Sequence, residues 1–406
     1  MTSYQTIFSP AAILLPPFSS DPDAMKRWAV IACDQFTSDP AYWESCRKTA
    51  QGFPSAYDYI MPEAYLGTEE ETIHGAEIGR AMASFDGRAM RRIDGFVYLE
   101  RTLPDGSLRR GIVGRIDLEA YDYHAGSASP VRATEATVLE RIPPRCRIRA
   151  SAAVELPHIL VLIDDHVGLM DSAASLARQI AYDFDLMAGG GHARGYAVEG
   201  QDAALLSEKI AEYESSRAGL VYAMGDGNHS LAAARAHWEN VKRETGDRDH
   251  PARYALCEIT ALGEESLVFE PIYRILKHCD PDDVIADLSR ISDEAGGQQV
   301  TVLAGERKEK RTFARPTHAL TVGTLQDWID GYCAAHPGVT CDYIHGETPL
   351  CELASMPGNV GFLFDGMDKS ELFPYVEAHG TLPRKTFSMG EAAGKRYYIE
   401  CRRITR

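Results

Sequence analysis

The 406-residue sequence predicts an α+β fold, with mixed α/β segments. Three observations predict it. Short apolar strand patterns are interleaved with helical patterns, without a strict strand–helix repeat. Two alternating runs in residues 95–117 flank Pro104-Asp105-Gly106, a strong hairpin signal. Hydrophobic content of 45% and charged content of 25% match ordinary globular chains, so a sizeable core is within reach.

The elements follow in order. Residues 28–33, WAVIAC, read as a buried strand that runs into the polar loop Asp34-Gln35-Phe36-Thr37-Ser38-Asp39-Pro40. Residues 41–48 read as a helix, with Ser38 or Asp39 as N-cap and Pro40 at the first turn. Residues 70–86 carry a helical pattern, and the 95–117 hairpin comes next. Residues 158–164, HILVLID, form a buried strand ending in Asp164-Asp165-His166, with a helix from about Ser172. Gly189-Gly190-Gly191 breaks the chain before a short strand at 195–198 and a helix at 202–215. An apolar run then stops at Met224, a polar loop follows, and an alanine-rich helix begins. Residues 255–261 and 268–273 read as extended, 282–292 and 324–335 as helical, and 360–365 and 396–402 as strands. The length suggests two domains or one elaborated domain. Residues 293–318 are the most polar stretch, which places a boundary between a 1–292 core and a 293–406 region that packs back on it.

Charge narrows the function. The net charge of -17 repels phosphate backbones and anionic lipid, so neither nucleic acid nor membrane is an expected partner. The nine cysteines include no CxxC pair and are odd in number, which argues against a disulfide framework or a zinc site. Buried reduced thiols and a cytoplasmic setting fit that pattern. The N-terminal stretch lacks a basic start and is interrupted by prolines, unlike a signal peptide.

Four stretches can carry chemistry. The first is Gly225-Asp226-Gly227-Asn228-His229-Ser230. The two glycines allow a sharp turn and close approach of a ligand. Asn228 or Asp226 can cap the helix that begins near Ser230. The first-turn N–H groups then offer an anion site at the positive end of the helix dipole. His229 can bind an anion or shuttle a proton, and Asp226 can hold a metal or orient a hydroxyl. The plainer alternative is a strand-to-helix turn whose polar residues only satisfy backbone.

The second stretch runs from Arg132 to Arg149 and includes Arg141, Arg145 and Arg147. Guanidinium forks match phosphate, and so much local positive charge in an acidic chain favours an anion site. Glu135 among them can serve as a general base or metal ligand. A solvated charged segment is the alternative. The third is Leu382-Pro383-Arg384-Lys385-Thr386-Phe387-Ser388-Met389-Gly390, with Lys395-Arg396 nearby in sequence. Lys385 and Thr386 can close over a phosphate, or the stretch is an ordinary loop. The fourth is Cys33-Asp34-Gln35-Phe36-Thr37-Ser38 at a strand end, where a buried thiol is the stronger reading. Walker, Rossmann, His-Glu-x-x-His and Gly-x-Ser-x-Gly motifs are absent.

WAVIACDQFTSDPAYW, RATEATVLERIPPRCRIR, GDGNHSLAAARA, HPARYAL, FEPIYRIL and LPRKTFSMG occur in this order over nearly the whole chain. Together they resemble the bacterial and archaeal family called domain of unknown function 1015. Its Asp-Gly-(Asn/His)-His element is in turn similar to the phosphate loop of the ParB/sulfiredoxin superfamily. That superfamily includes nucleotide-binding partition proteins, sulfiredoxin and a free-serine kinase. The resemblance implies a ParB/sulfiredoxin-like core with large N- and C-terminal elaborations. It implies Mg²⁺, ATP or ADP, and a small hydroxylated amino acid as ligands.

Asp226, Gly227, Asn228 and His229 match the phosphate loop, with Gly225 before it. Ser230 stands where that superfamily usually has arginine. Arg132, Arg141, Arg145 or Lys385 then has to supply the missing charge. Glu135 is the candidate base toward a serine hydroxyl. The leading expectation is a kinase for free L-serine. A phosphohydrolase or nucleotidase at the same site, and a nucleotide switch of ParB type, are the alternatives. A sulfiredoxin-like role is disfavoured, because residues 225–230 contain no cysteine.

Overall fold

The structure, a computed structural model, describes residues 6–31, 36, 39–65, 68–85, 87–156, 159–293, 297–390 and 394–406. The chain divides into two compact units, one of residues 1–267 and 391–406, the other of residues 268–390. The expected boundary at 292/293 is corrected by this division, because it falls inside a strand of the second unit. The polar stretch after it is no linker. Charged side chains there cover one face of a strand hairpin, which composition cannot tell from a loop.

In the first unit the strands are β1 (Phe8–Ser9), β2 (Ala11–Leu15), β3 (Arg91–Thr102), β4 (Leu108–Asp117), β5 (Tyr121–Asp122), β6 (Val131–Arg132), β7 (Val154–Glu155), β8 (Leu160–Ile163), β9 (Gln179–Asp185), β10 (His192–Glu199), β11 (Tyr222–Asp226) and β12 (Tyr254–Ala261). Its helices are α1 (Pro22–Trp28), α2 (Pro40–Ala50), α3 (Glu69–Ala83), α4 (Ile142–Ser151), α5 (Leu169–Leu176), α6 (Gly200–Ser215) and α7 (Asn228–Thr245). One mixed sheet runs β5-β6-β11-β8-β12-β4-β3-β10-β9, with β1 and β2 extending the pairing of β4 and β3.

Side-chain alternation along β3 splits the core between the two faces of the sheet. Phe96 and Tyr98 pack on one face with the buried sides of α5, α6 and α7. Val97 and Leu99 pack on the other with α1, α2 and the C-terminal tail. The α+β expectation holds, and so does the hairpin, whose turn uses Gly106 at φ 86°. Asp39 caps α2 by accepting from the Tyr42 N–H at 2.9 Å.

Two strand expectations are corrected. The described part of the 28–33 stretch, residues 28–31, does not form a continuous strand: Trp28 ends α1, and Val30 makes a single bridge to Tyr398. The tail is likewise reduced to bridges at Tyr398 and Cys401 and a short strand at Arg402–Arg403 that pairs with β7. Both stretches are buried by packing, so an apolar run alone carried a strand signal that the backbone did not follow. Cys33, Asp34, Gln35, Thr37 and Ser38 lie outside the described residues.

The second unit holds β13 (Phe269–Lys277), β14 (Ser292–Asp293), β15 (Gln299–Ala304), β16 (Arg307–Phe313), β17 (Thr340–His345), β18 (Asn359–Leu363) and β19 (Phe387–Met389). Its helices are α8 (Pro281–Ser289), α9 (Thr321–Ala335), α10 (Glu347–Ala354) and α11 (Leu372–His379). The sheet order is β14-β16-β15-β18-β13-β17, with β19 against β13. Val300, Val302, Phe362, Leu325 and Ile329 are among the residues of its own core.

Candidate functional site

The candidate site is the junction of β11 and α7. Gly225 sits at a bulge, where the pairing of β11 with β8 slips between Met224 and Asp226. A Cβ there would meet the Leu162 side chain at 3.0 Å. Gly227 follows in the left-handed region, at φ 83°. Helix α7 therefore starts at Asn228, two residues before the expected start.

The N-cap residue of α7, Gly227, has no side chain with which to cap it. The expectation that Asp226 or Asn228 caps it is corrected. Asp226 Oδ1 instead accepts from the Gly227 N–H at 2.7 Å, which pins the turn one residue earlier. Leu231 N–H closes the first helical turn on Gly227 O at 3.0 Å. The N–H groups before it point out of the helix end, where the dipole favours negative charge. Leu231, Ala234 and Trp238 bury the opposite face against the sheet.

The arginine-rich segment is delivered to this loop by β6, which pairs in parallel with β11. Thr134 Oγ1 donates to Met224 O at 2.7 Å. The Val138 N–H donates to His229 Nε2 at 3.1 Å. Glu135 lies between these two anchors and is half-buried. A backbone N–H can only donate, so Nε2 is the unprotonated nitrogen of the neutral His229 ring, and Nδ1 carries the proton. That tautomer presents His229 as a hydrogen-bond donor. Among the described residues the buried Asn228 Oδ1 and Thr137 Oγ1, one on each segment, have no hydrogen-bond partner.

The predicted basic residues are placed differently from one another. Arg132 is buried and donates Nε to Ser129 O at 2.6 Å. Arg141 is exposed just before α4, and its carbonyl accepts from Arg145 Nη1 at 3.2 Å. Arg149 instead pairs with buried Glu155 at 2.6 Å, which Arg402 grips from the other side at 2.7 Å. Burial alone would raise the Glu155 carboxyl, but those two charges hold it below the usual range. Lys385 and Thr386 belong to the second unit. There Thr386 is buried and donates to Pro383 O at 2.6 Å.

Sequence reasoning left Lys395 out of the site. Its Nζ stands 3.4 Å from Asp226 Oδ2, and the two side chains are 15% and 27% exposed. The signal was present in the Lys395-Arg396 pair of the tail. Chain distance hid it, because only the fold returns residues 394–406 to the first unit.

Beside Lys395 lies a buried charged layer. Arg396 donates to Glu258 at 2.6 Å and to Glu400 at 2.8 Å. Glu400 also accepts from Tyr182. Burial opposes the Glu258 charge, and Arg109 and Arg396 outweigh it, so its carboxyl stays below the ordinary value. Burial and the neighbouring Arg109 charge draw Arg101 down to about 9.

Asp226 was also the expected metal ligand. Among the described residues, no three His, Cys, Asp or Glu side chains converge to hold a metal ion. Asp226 is paired with Lys395 at 3.4 Å. Among the described residues no helix is long and apolar enough to cross a membrane. Asp164 and Asp165 have structural partners: Asp164 pairs with Arg217 at 2.8 Å, and Asp165 accepts from the Leu169 and Met170 N–H groups of α5.

Curated proteins give no match to this chain. Among solved structures it is similar to a free serine kinase in complex with AMP, at TM-score 0.37 and 12% identity, covering 69% of this chain and 91% of that one. It is also similar to a conserved hypothetical protein from Pyrococcus furiosus, at TM-score 0.33 and 13% identity, covering 70% and 90%. A third is SbnI from Staphylococcus aureus with a C-terminal truncation, at TM-score 0.35 and 11% identity, covering 71% and 82%. A family described as a protein of unknown function, DUF1015, matches residues 15–339, a span that includes the β11–α7 loop and the arginine-rich segment, and the chain belongs to that family.

Proposed function

We propose that this protein is a small-molecule kinase that phosphorylates the hydroxyl of a free amino acid, L-serine first among them, from ATP or ADP. One observation carries the reading: His229 and Lys395 stand beside the N-terminus of α7, where Gly227 at the N-cap offers the first-turn N–H groups no side chain of its own.

In the proposed reaction the terminal phosphates of the nucleotide rest on the first-turn N–H groups of α7. His229 donates through Nδ1 to a phosphoryl oxygen. The serine hydroxyl oxygen attacks the terminal phosphorus, and the bond from that phosphorus to the bridging oxygen breaks. The hydroxyl proton passes to the Glu135 carboxylate, and the nucleotide leaves with one phosphate fewer. Positioning and charge neutralisation supply most of the rate, as in other phosphoryl transfers.

Purified protein given ATP or ADP with L-serine is expected to form phosphoserine. Absence of turnover with both donors across a panel of hydroxylated amino acids overturns the reading. Phosphate release without any acceptor moves the assignment to a phosphohydrolase.

A further inference from the structure

We propose that Lys395 is the phosphate-neutralising cation of this site, supplied by the C-terminal tail to a loop that has none of its own. The inference rests on the reading of the β11–α7 loop as a phosphate site and deepens it. Residues 225–230 contain an aspartate and a histidine but neither lysine nor arginine. Helix N–H groups alone bind a multiply charged phosphate weakly, because the helix end amounts to about half a unit charge. A full positive charge beside the loop changes that balance.

The position of Lys395 is built rather than incidental. Its own carbonyl accepts from Arg101 Nη1 at 3.3 Å, and the preceding Gly394 carbonyl accepts from Arg109 Nη1 at 2.9 Å. Arg101 and Arg109 are 1% and 4% exposed and sit directly opposite each other on β3 and β4. Two like charges facing each other on a buried sheet repel, and Glu258, 3.7 Å from Arg109 Nε, offsets part of that repulsion. Among the described residues the Nε atoms of both arginines and Arg109 Nη2 have no hydrogen-bond partner. Arg396 anchors the next residue to Glu258 and Glu400. These bonds hold the main chain at Gly394, Lys395 and Arg396 and set the Lys395 side chain beside Asp226.

Asp226 is then the resting partner of Lys395. Nζ lies 3.4 Å from Oδ2, an ion pair without the 2.7–2.9 Å spacing expected of a tight charge-assisted bond. A phosphate at the α7 end competes for the ammonium with more charge than one carboxylate carries. Lysine suits this use, because it is a compact charge on a flexible stem with no fixed fork to align.

The test is calorimetric titration of the full chain with AMP, ADP, ATP and pyrophosphate, in buffer with a metal chelator. Wild type is expected to bind at least one of them. Lys395→Met is expected to weaken that binding about ten- to hundredfold, the range for losing one charge-assisted contact. Asp226→Asn is expected to tighten it several-fold, because the competitor for the ammonium is removed. Ser230→Arg, placed in the first turn of α7, is expected to restore binding in the Lys395→Met background, also where that variant melts earlier. Equal affinity of wild type and Lys395→Met overturns this inference and leaves the phosphate reading intact. Failure of wild type to bind any probe overturns the phosphate reading and this inference with it.

Discussion

Two glycine-flanked polar loops, residues 225–230 of the first unit and 382–390 of the second, carry similar chemistry in sequence. Each sets hydroxyl or amide groups beside charged ones, next to a strand. In the second loop the hydroxyls and backbone carbonyls bond internally, while the Arg384 and Lys385 side chains are exposed. The carbonyls of Arg384 and Lys385 accept from Arg274, which is fully buried. Burial draws that guanidinium down to about 10. Thr386 donates to Pro383 O at 2.6 Å and Ser388 to Gly390 O at 3.2 Å. Arg384 pairs with Asp330 and Tyr343. In the first loop the N-cap is a glycine, and among the described residues Asn228 Oδ1 has no hydrogen-bond partner. Both loops would attract the eye in a sequence. They differ in that the second is tied through its carbonyls to a buried guanidinium, while the first opens a helix at a glycine N-cap.

The comparison can be broken at its ends. The largest effect is expected at His229. His229→Ala should lower phosphoryl transfer by about two to four orders of magnitude, with a melting temperature within a few degrees of wild type. A large fall in melting temperature with modest loss of rate would reduce the first loop to a structural turn. Next comes Arg274→Met, which leaves the carbonyls of Ile272, Arg384 and Lys385 without their donor. It should destabilise the second unit by about 3–5 kcal/mol, as when one side of a buried charged contact is removed. Denaturant unfolding measures this, and a change below about 1 kcal/mol would refute the inward wiring of that loop.

A third prediction concerns the scaffold beneath the first loop. Burial on α7, with the charges of Arg149 and His250 adding to it, holds His237 down to about 4, while Glu155 opposes the shift. An unfolded histidine titrates near 6.5, so the unfolded state binds more protons between these values. The neutral ring contributes its full stability above about pH 6.5. That contribution is lost as pH falls toward 4, by up to about 3 kcal/mol. Urea melts of wild type and His237→Asn at pH 7 and pH 4.5 read this directly. Equal pH dependence in the two proteins would remove His237 as the cause.

The smallest effect is expected at Lys385, a non-glycine residue at φ 53°. Lys385→Gly relieves that left-handed conformation and should stabilise the second unit by about 0.5–1 kcal/mol or leave it unchanged. Nucleotide affinity measured on the same variant should equal that of wild type. A clear loss of affinity would return Lys385 to the binding site and erase the contrast between the loops.

The sequence by itself determined the local elements with strong local causes. The Pro104-Asp105-Gly106 turn and the Asp39-Pro40 helix start depend on nearby residues, and both stand where they were expected. It also determined that Gly225, Asp226, Gly227, Asn228 and His229 join a strand to a helix, because glycine placement and apolar periodicity are local properties. Tertiary structure decided the rest. Strand pairing of β6 with β11 laid the 134–138 segment, Glu135 included, along the loop. The return of the tail brought Lys395 to Asp226. Buried Arg274 tied down the carbonyls of Arg384 and Lys385 in the second basic loop. The physical reason is common to all three. Long-range pairing and the desolvation of charge depend on which segments meet in space, and no window of sequence contains both partners.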